Sequence, residues 1–379
     1  MRPTLADGAS AIDSRLERNK RRARPQTRSW DGAPPARQEA SKPSAKMPSA
    51  EGIMQLGWGF RGSKALLSAV ELDLFTELAA IPLDGETLRR RLRLHERSAR
   101  DFFDVLVALG MLRRRNGLYA NTPETSFYLD RNKPSYIGGL LRLANATIYP
   151  NWGKLTEALR TGKPQSGVAD GEDLFDMLYA DPAAAAGFAE AMTGASLPSA
   201  WALAKQFPWE EYNTFIDIGA AEGAAPVAIA QAHPHLSGGG FDLPEIQPIF
   251  EAYVARSGLA DRLRFHPGDF FTDALPSADV LVLGQILHDW NLEEKRNLLA
   301  KVHRALPEHG AVVVCDQMID DERRQNAAGL LTSLSMLIAT QGGFDYTVAE
   351  CASWMHEAGF KRIRHEHLSG PFSMMVGIK

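Results

Sequence analysis

The second half of this chain alternates strand-like runs with helical stretches, and this alternation limits the fold more than any other feature. Seven short runs rich in β-branched and aromatic residues are predicted as strands. Helical patterns such as 224–232, 248–256 and 292–305 lie between most of them. This order favours an α/β fold with a mostly parallel sheet covered on both faces. The predicted strands are residues 214–218, 239–242, 263–266, 279–283, 311–315, 361–366 and 372–378, the last two forming a terminal antiparallel hairpin.

Length and composition limit the number of domains and the class of protein. A chain of 379 residues with 45% hydrophobic content favours two ordered domains plus a tail. The net charge of −4 gives no electrostatic reason to expect nucleic acid. Cys315 and Cys351 cannot build a disulfide framework and lack metal-ligand spacing, so a cytoplasmic location is expected. No apolar run approaches the roughly 20 residues that a membrane helix needs.

Residues 1–50 differ from the rest of the chain. They hold eleven Lys or Arg against five Asp or Glu, many Pro, Ala and Ser, and almost no large apolar residues. Such a segment buries too little surface to offset its ordering entropy, which predicts a disordered basic tail. A targeting peptide and a localisation signal at 20–24 are the alternatives, although acidic residues and prolines weigh against the former. Met47 is an alternative start.

Residues 51–135 show the order of a winged helix. A helical region is followed by a short helix at 86–92 and a longer one at about 98–112, and Asn116-Gly117 then signals a hairpin. Arginine triplets at 89–91 and 113–115 favour DNA binding. The longer helix nevertheless carries Glu96, Asp101 and Asp104, whereas a helix that enters the major groove normally presents a more basic face. We therefore predict a self-associating module that does not bind nucleic acid.

Residues 136–208 form a helical linker with apolar stripes. Most of these side chains are expected to serve helix packing. Trp152, Phe188 and Met192 are the candidates for lining a pocket, because flat aromatic rings and adaptable methionine suit planar ligands.

A strand, a tight turn and a helix start follow one another at 215–223. Small residues at Gly219 and Gly223 allow the backbone to approach a ligand, and the helix start offers free N–H groups. The segment lacks the Lys-Ser/Thr of a phosphate-clamping loop and the third glycine of a dinucleotide fingerprint. A turn of this kind that serves only packing is the alternative.

Two later strand ends favour the ligand-binding interpretation. Asp242 ends the next predicted strand, where a carboxylate accepts hydrogen bonds from ribose hydroxyls. The third strand is followed by Gly268, Asp269 and Phe270, which offer a carboxylate and an aromatic face for a purine. A small-residue turn, a ribose acid and a base-binding pair on successive strands form the layout expected for S-adenosyl-L-methionine.

Residues 279–290 read Asp-Val-Leu-Val-Leu-Gly-Gln-Ile-Leu-His-Asp-Trp and place His288 just beyond a strand. Ligands of open α/β sheets bind outside the carboxyl ends of strands. Histidine is suited to remove a hydroxyl proton near neutral pH. Capping of the helix that begins near Asn291 is the alternative role. Two other histidine pairs, at 233/235 and 365/367, lack a third ligand nearby, so no metal site is expected.

With these motifs, residues 53–379 resemble the small-molecule O-methyltransferases typified by the caffeic acid and acetylserotonin enzymes. The matching segments are 217–223, 241–244, 268–271 and 286–290. The resemblance implies a Rossmann-like catalytic domain at 209–379 behind a winged-helix dimerisation domain, and a homodimer. It also implies methyl transfer from S-adenosyl-L-methionine to a hydroxyl of a small, aromatic metabolite.

The resemblance also implies a set of site residues. His288 matches the general base, and Asp316 and Asp345 match the two acids that flank it, with aspartate where glutamate is common in plant members. Met336 and Thr340, in the segment 330–344, join the helical linker in lining the acceptor pocket. The residues implied for the cofactor are Asp217, Gly219, Gly223, Asp242, Leu243, Gly268, Asp269, Phe270 and Gln285.

Two departures from the family pattern bear on cofactor affinity. Ala221 replaces the middle glycine of the loop, and Gln285 stands where many relatives carry a basic residue near the methionine carboxylate. Two other functions stay open: a carbon or nitrogen methyltransferase on the same scaffold, and a ligand-sensing winged-helix regulator.

Overall fold

The N-terminal part of the chain is a small helical unit with a three-stranded sheet. The structure is a computed structural model that describes residues 48–167 and 174–379. The predicted tail at 1–50, with Met47, lies almost wholly outside the described residues. The elements of this part are α1 (Glu51–Trp58), α2 (Phe60–Glu71), α3 (Leu74–Glu77), β1 (Leu83–Asp84), α4 (Gly85–Arg91), α5 (Glu96–Ala108), β2 (Leu112–Arg115) and β3 (Leu118–Asn121).

The sequence predicts the order of these elements, apart from β1. Asn116 and Gly117 both have positive φ, at 52° and 80°, which is the geometry of a tight hairpin turn between β2 and β3. The strand β1 pairs with β3 at the other edge of the hairpin. The predicted helix at 98–112 was placed too far along the chain, because Gly110 turns the backbone at φ 76° and Leu112 already belongs to β2.

A run of helices connects this unit to the second half of the chain. They are α6 (Pro123–Tyr128), α7 (Gly138–Leu143), a π-helical turn (Ala144–Ile148), α8 (Tyr149–Trp152), α9 (Leu155–Thr161), α10 (Leu174–Tyr179) and α11 (Pro182–Gln206). The long helix α11 packs against α7 and also against the second half of the chain. Met54–Lys379 form one compact unit. No helix within the described residues has the length and apolar character needed to cross a membrane.

The second half contains the predicted parallel sheet. Its strands are β4 (Thr214–Ile218), β5 (Ser237–Asp242), β6 (Leu263–Pro267), β7 (Val280–Gly284), β8 (Ala311–Asp316), β9 (Lys361–Ser369) and β10 (Phe372–Ile378). Their order is β6-β5-β4-β7-β8-β10-β9, and β4 to β8 run parallel. The terminal hairpin is confirmed, since β10 pairs antiparallel with both β8 and β9. This is the expected Rossmann-like architecture.

Helices cover both faces of the sheet. They are α12 (Ala224–Ala232), α13 (Gln247–Arg256), α14 (Leu292–Ala305) and α16 (Val348–Ala358). The helix α15 (Ala327–Ala339) packs against α8 and α9 instead. Alternate residues of β7 enter two different cores: Val280 and Val282 lie in one, and Leu281 and Leu283 in the other. A strand buried on both faces must be apolar at every position, which explains the unbroken apolar run in β7.

Strand order also fixes where a ligand binds. The chain leaves β4 for β5 on one side of the sheet, and β7 follows on the other side of β4. The carboxyl ends of β4 and β7 therefore flank the topological switch point, where open α/β sheets bind ligands. Both the glycine turn and His288 follow these two ends.

Candidate active site

The turn after β4 is held in a strained conformation that brings it close to its neighbours. Gly219 has φ 73°, and a side-chain carbon at this position would lie 2.2 Å from Ile286 Cδ1. Ala221 also has positive φ, at 46°, although it carries a Cβ. Its N–H donates to Asp242 Oδ2 over 2.8 Å, which holds the strained residue in place. Gly223, at φ 98°, then precedes α12.

Asp242 and Asp217 form a buried acidic pair at this turn. Asp242 accepts two backbone hydrogen bonds, from Ala221 and from Leu243, each over 2.8 Å. Burial raises the pKa of Asp242 to about 6, although both hydrogen bonds favour the carboxylate. Burial and the neighbouring Asp242 hold the pKa of Asp217 well above its usual range. Asp242 is thus the acid of this pair that is ionised near neutral pH.

In the loop after β6, the carboxylate of Asp269, which is predicted to bind the base, accepts hydrogen bonds from the loop itself. The carboxylate of Asp269 accepts from Phe271 N over 2.7 Å and from Thr272 Oγ1 over 3.0 Å. Phe270 is partly buried, and its ring lies edge-on to Trp290 with centroids 5.6 Å apart. Lys301 Nζ donates to the Phe270 carbonyl over 2.7 Å. The sequence analysis did not predict that Lys301 and the ring of Trp290 contact Phe270.

Gln285 and His288 follow β7 in a short irregular segment. Gln285 has φ 57°, and its N–H donates to the Cys315 carbonyl of β8 over 2.9 Å. His288 lies in a 3₁₀ turn, Leu287–Asp289, and is buried. The capping box of α14 is made by Asn291 and Glu294. The alternative role of His288 as a helix cap therefore has no support in the structure.

Three aspartates surround the ring of His288. Nδ1 lies 3.3 Å from Asp345 Oδ1, and Nε2 lies 3.6 Å from Asp289 Oδ1, which is too far for a hydrogen bond. Burial opposes a charge on the ring. The carboxylates of Asp289, Asp316 and Asp345 outweigh burial and raise the pKa of His288 to about 10. The structure thus brings together the three predicted residues His288, Asp316 and Asp345.

Asp316 ends β8 and is held from the far side by Tyr346. The Tyr346 hydroxyl donates to Asp316 Oδ2, and both residues are buried. Burial and the neighbouring acids raise the pKa of Asp316 to about 7, against the opposing charge of His288. Among the described residues, Asp316 Oδ1 and Asp345 Oδ2 are buried oxygens without a hydrogen-bond partner. Such oxygens are rare in proteins and mark places where a polar ligand or water binds.

Lys295 lies close to the aspartates around His288, and the sequence analysis did not predict it as a site residue. It is fully buried on α14, and its ammonium group donates to the Trp290 carbonyl. Burial lowers the pKa of Lys295 to about 8, although Asp316, Asp289 and Asp345 oppose this effect. A signal was available, because Lys295 shares the buried face of α14 with Leu298, Leu299 and Val302.

The predicted acceptor-pocket residues fall into two groups. Trp152 Nε1 donates to Ser335 Oγ over 3.2 Å, which joins α8 to the helix α15 that carries Met336. Thr340 uses its hydroxyl within its own turn, donating to the Met336 carbonyl and accepting from Gly343 N. Phe188 and Met192 lie on α11, where the Phe188 ring packs against Phe175 and Tyr179.

Comparison with known families agrees with this fold. Residues 152–361 match the O-methyltransferase domain, and residues 54–131 match the O-methyltransferase dimerisation domain. The fold and the site define a methyltransferase, and the chain belongs to the S-adenosylmethionine-dependent O-methyltransferase family. As a member with the family's dimerisation domain, it forms a homodimer.

Individual relatives cover nearly the whole chain outside the tail. The tetracenomycin polyketide synthesis 8-O-methyl transferase TcmO of Streptomyces glaucescens is 47% identical, over 86% of this chain and 96% of that protein. The N,N-dimethyltransferase OxyT of Streptomyces rimosus is 38% identical, over 84% of this chain and 93% of that protein. The structure of human N-acetylserotonin methyltransferase with SAM has a TM-score of 0.81 at 26% identity, covering 88% of this chain and 99% of that one.

The residues at the switch point fit the methyl donor S-adenosyl-L-methionine. The turn at Gly219 leaves no space for a side chain, because Ile286 from the segment after β7 packs directly against its backbone. Asp242 presents an ionised carboxylate at the end of β5. The ring of Phe270 forms an apolar wall at the end of β6. When bound, this cofactor supplies a methyl group on a positively charged sulfur, and that charge disfavours a second cation nearby.

Proposed function

We propose that this enzyme methylates a phenolic hydroxyl of an aromatic polyketide, with His288 as the general base. The observation that carries the proposal is the 47% identity with a polyketide 8-O-methyl transferase over 86% of the chain. The buried contact between His288 and Asp345 supports the role of the base. The acceptor pocket would lie between the base and the two groups of helical residues, Trp152, Phe188 and Met192 with Met336 and Thr340.

The contacts of the imidazole give each nitrogen a separate role in this proposal. Nδ1 faces Asp345, which orients the ring and favours the proton on that nitrogen. Nε2 is then the nitrogen that accepts a proton from the acceptor hydroxyl. A free phenol has a pKa of about 10 and is hardly ionised at neutral pH, so removal of its proton by a base accelerates attack on the methyl group.

The charge state of the ring sets a condition on this role. With a pKa of about 10, His288 is an imidazolium at neutral pH in the free enzyme and cannot accept another proton. The ring must therefore lose this proton to solvent before it acts as a base. The rate constant kcat/KM, which reports ionisations of the free enzyme, should rise with pH through the neutral range and above it.

The remaining assignments follow from the same scheme. The cofactor would contact Asp217, Gly219, Gly223, Asp242, Leu243, Gly268, Asp269, Phe270 and Gln285, with Asp242 as the ribose acid. Two buried thiols, Cys315 and Cys351, suit a reducing compartment, so we infer that the enzyme works in the cytoplasm. The domain limits at residues 51, 136 and 209 stay predictions.

A direct experiment is a screen of phenolic polyketides with the purified homodimer and S-adenosylmethionine. Mass spectrometry detects the added methyl group, and carbon NMR of the product distinguishes a methoxy carbon from a carbon- or nitrogen-bound methyl. We expect a methoxy product from the wild-type enzyme and at most trace product from His288→Gln. A product methylated on carbon or nitrogen alone would reject the proposed acceptor group.

A nitrogen acceptor is the second candidate, because OxyT is 38% identical and is an N,N-dimethyltransferase. A pair of substrates that differ only in hydroxyl against amine separates the two functions. Preference for the amine under equal conditions would favour this candidate over the phenol.

A further inference from the structure

Lys295 occupies a position that is electrostatically costly for a lysine. It is the fourth residue of α14, where the positive end of the helix dipole disfavours a cation. Its side chain is also fully buried, and lysine is almost never fully buried unless it has partners. A leucine or methionine would continue the apolar face of α14 without either cost. The contacts of the ammonium group must therefore account for its presence.

These contacts join the two segments that carry the base and its orienting acid. The ammonium group donates to the carbonyl of Trp290, two residues after His288. It also lies 3.6 Å from the centroid of the Phe344 ring and 5.8 Å from that of Tyr346, the two neighbours of Asp345. A buried ammonium over an aromatic face is attracted by the ring quadrupole.

The same two segments touch closely through their backbones. A side-chain carbon at Gly343 would lie 2.7 Å from the His288 carbonyl and 2.6 Å from the Asp289 carbonyl. The glycine therefore permits the approach, but it provides no attraction. Lys295 supplies hydrogen-bonding and electrostatic attraction at this junction. The ionisable groups around the ammonium are Asp289, Asp316, Asp345 and Glu294, with the Tyr346 hydroxyl beside Asp316.

We propose that Lys295 is a positioning residue that holds the segment 288–290 against the segment 343–346 and so keeps His288 Nδ1 within reach of Asp345. This inference rests on the proposed role of His288 as the base. Lys295 touches neither reacting group in this scheme. Its removal should loosen the imidazole and slow methyl transfer without changing cofactor binding.

The test compares Lys295→Met, Lys295→Arg and the exposed control Lys205→Met in the full homodimer. Proton NMR follows the hydrogen-bonded Nδ1–H of His288 in the free protein, assigned by its absence in His288→Gln. We expect Lys295→Met to lose this resonance and to lower kcat about 100-fold, as a displaced catalytic group does. The KM for the acceptor and the affinity for S-adenosylhomocysteine should stay at wild-type values. Lys295→Arg should recover the resonance and part of the rate, and Lys205→Met should behave as the wild type.

A folded Lys295→Met variant with the wild-type resonance and rate would overturn the proposal. If this variant does not fold, Phe344→Leu takes its place, because it removes one aromatic face and keeps the lysine. That variant should broaden the Nδ1–H resonance and lower kcat, and wild-type behaviour would overturn the proposal equally. A resonance that responds as expected in an enzyme that methylates no phenol would reject the proposed acceptor and leave the positioning role intact.

Discussion

The two parts of the site are built from different kinds of interaction. The cofactor edge, at the ends of β4 to β6, is held mainly by backbone N–H groups, two of which donate to Asp242. The base cluster, at the ends of β7 and β8, depends on charged side chains that are up to 57 residues apart in sequence, as His288 and Asp345 are. The first part is held by hydrogen bonds from the backbone, and the second by contacts between charged side chains.

This difference predicts different consequences of substitution. Substitutions at the cofactor edge should change the affinity for the cofactor and leave kcat unchanged. Substitutions in the base cluster should change kcat and its pH dependence and leave the affinity for the cofactor unchanged. The following variants test whether cofactor affinity and rate can be changed separately.

His288→Gln should have the largest effect. Loss of general-base help lowers kcat about 10²- to 10⁴-fold. Since the ring lies outside the cofactor edge, calorimetry should give an unchanged dissociation constant for S-adenosylhomocysteine. A variant with near-normal kcat, or with cofactor affinity lost in parallel with the rate, contradicts the separation.

Asp345→Asn should lower kcat about 10- to 100-fold, because the ring loses its orienting partner. The pH profile should also shift. The carboxylate favours the imidazolium, so its removal lowers the pKa of His288 from about 10, and the neutral ring persists to lower pH. The rise of kcat/KM with pH should therefore occur at lower pH, measured by initial rates across the stable pH range. The exposed variant Asp261→Asn is the control and should keep the wild-type profile.

Asp242→Asn should act on affinity. A hydrogen bond to a charged acceptor contributes about 1.5 to 3 kcal/mol, so we expect S-adenosylhomocysteine to bind about 10- to 100-fold more weakly. At saturating S-adenosylmethionine, kcat should match that of the wild type. A large fall in kcat with unchanged affinity would place Asp242 in the base cluster and remove the distinction between the two parts.

Ala221→Gly should have the smallest effect, and it should be stabilising. Left-handed backbone costs a residue with a Cβ about 1 to 2 kcal/mol, and glycine avoids this cost but loses more entropy on folding. We expect a net gain of about 1 kcal/mol or less in the free energy of unfolding, measured as a small rise in the melting midpoint. A lower midpoint would show that the alanine side chain stabilises the turn by packing.

The difference between the two parts also explains what the sequence could predict. The strands β4 and β10 and the helices α12 and α14 begin and end as predicted, because local apolar periodicity and turn residues set them. The turn at Gly219 and the strand-end acid Asp242 were visible for the same reason.

Contacts that depend on the tertiary fold were not visible in this way. The hydroxyl of Tyr346 reaches Asp316 from 30 positions away, and no local pattern indicates such a pair. The periodic pattern of α14 places Lys295 on the apolar face, but it does not show which groups the ammonium contacts. The positions of Asp316 and Asp345, and their closeness to His288, were expected only from the family resemblance. The hydrogen bonds from the carboxylate of Asp269 to its own loop were likewise not predicted, and its role in binding the base stays a prediction.

The most direct test of the account compares wild type and His288→Gln over a series of acceptors whose hydroxyl pKa values fall from that of an ordinary phenol to well below the assay pH. Acceptors of low pKa are already ionised and need no base. Single-turnover rates should differ by about 10²- to 10⁴-fold for the ordinary phenol and converge as the acceptor pKa falls. A constant ratio across the whole series would contradict the assignment of His288 as the base.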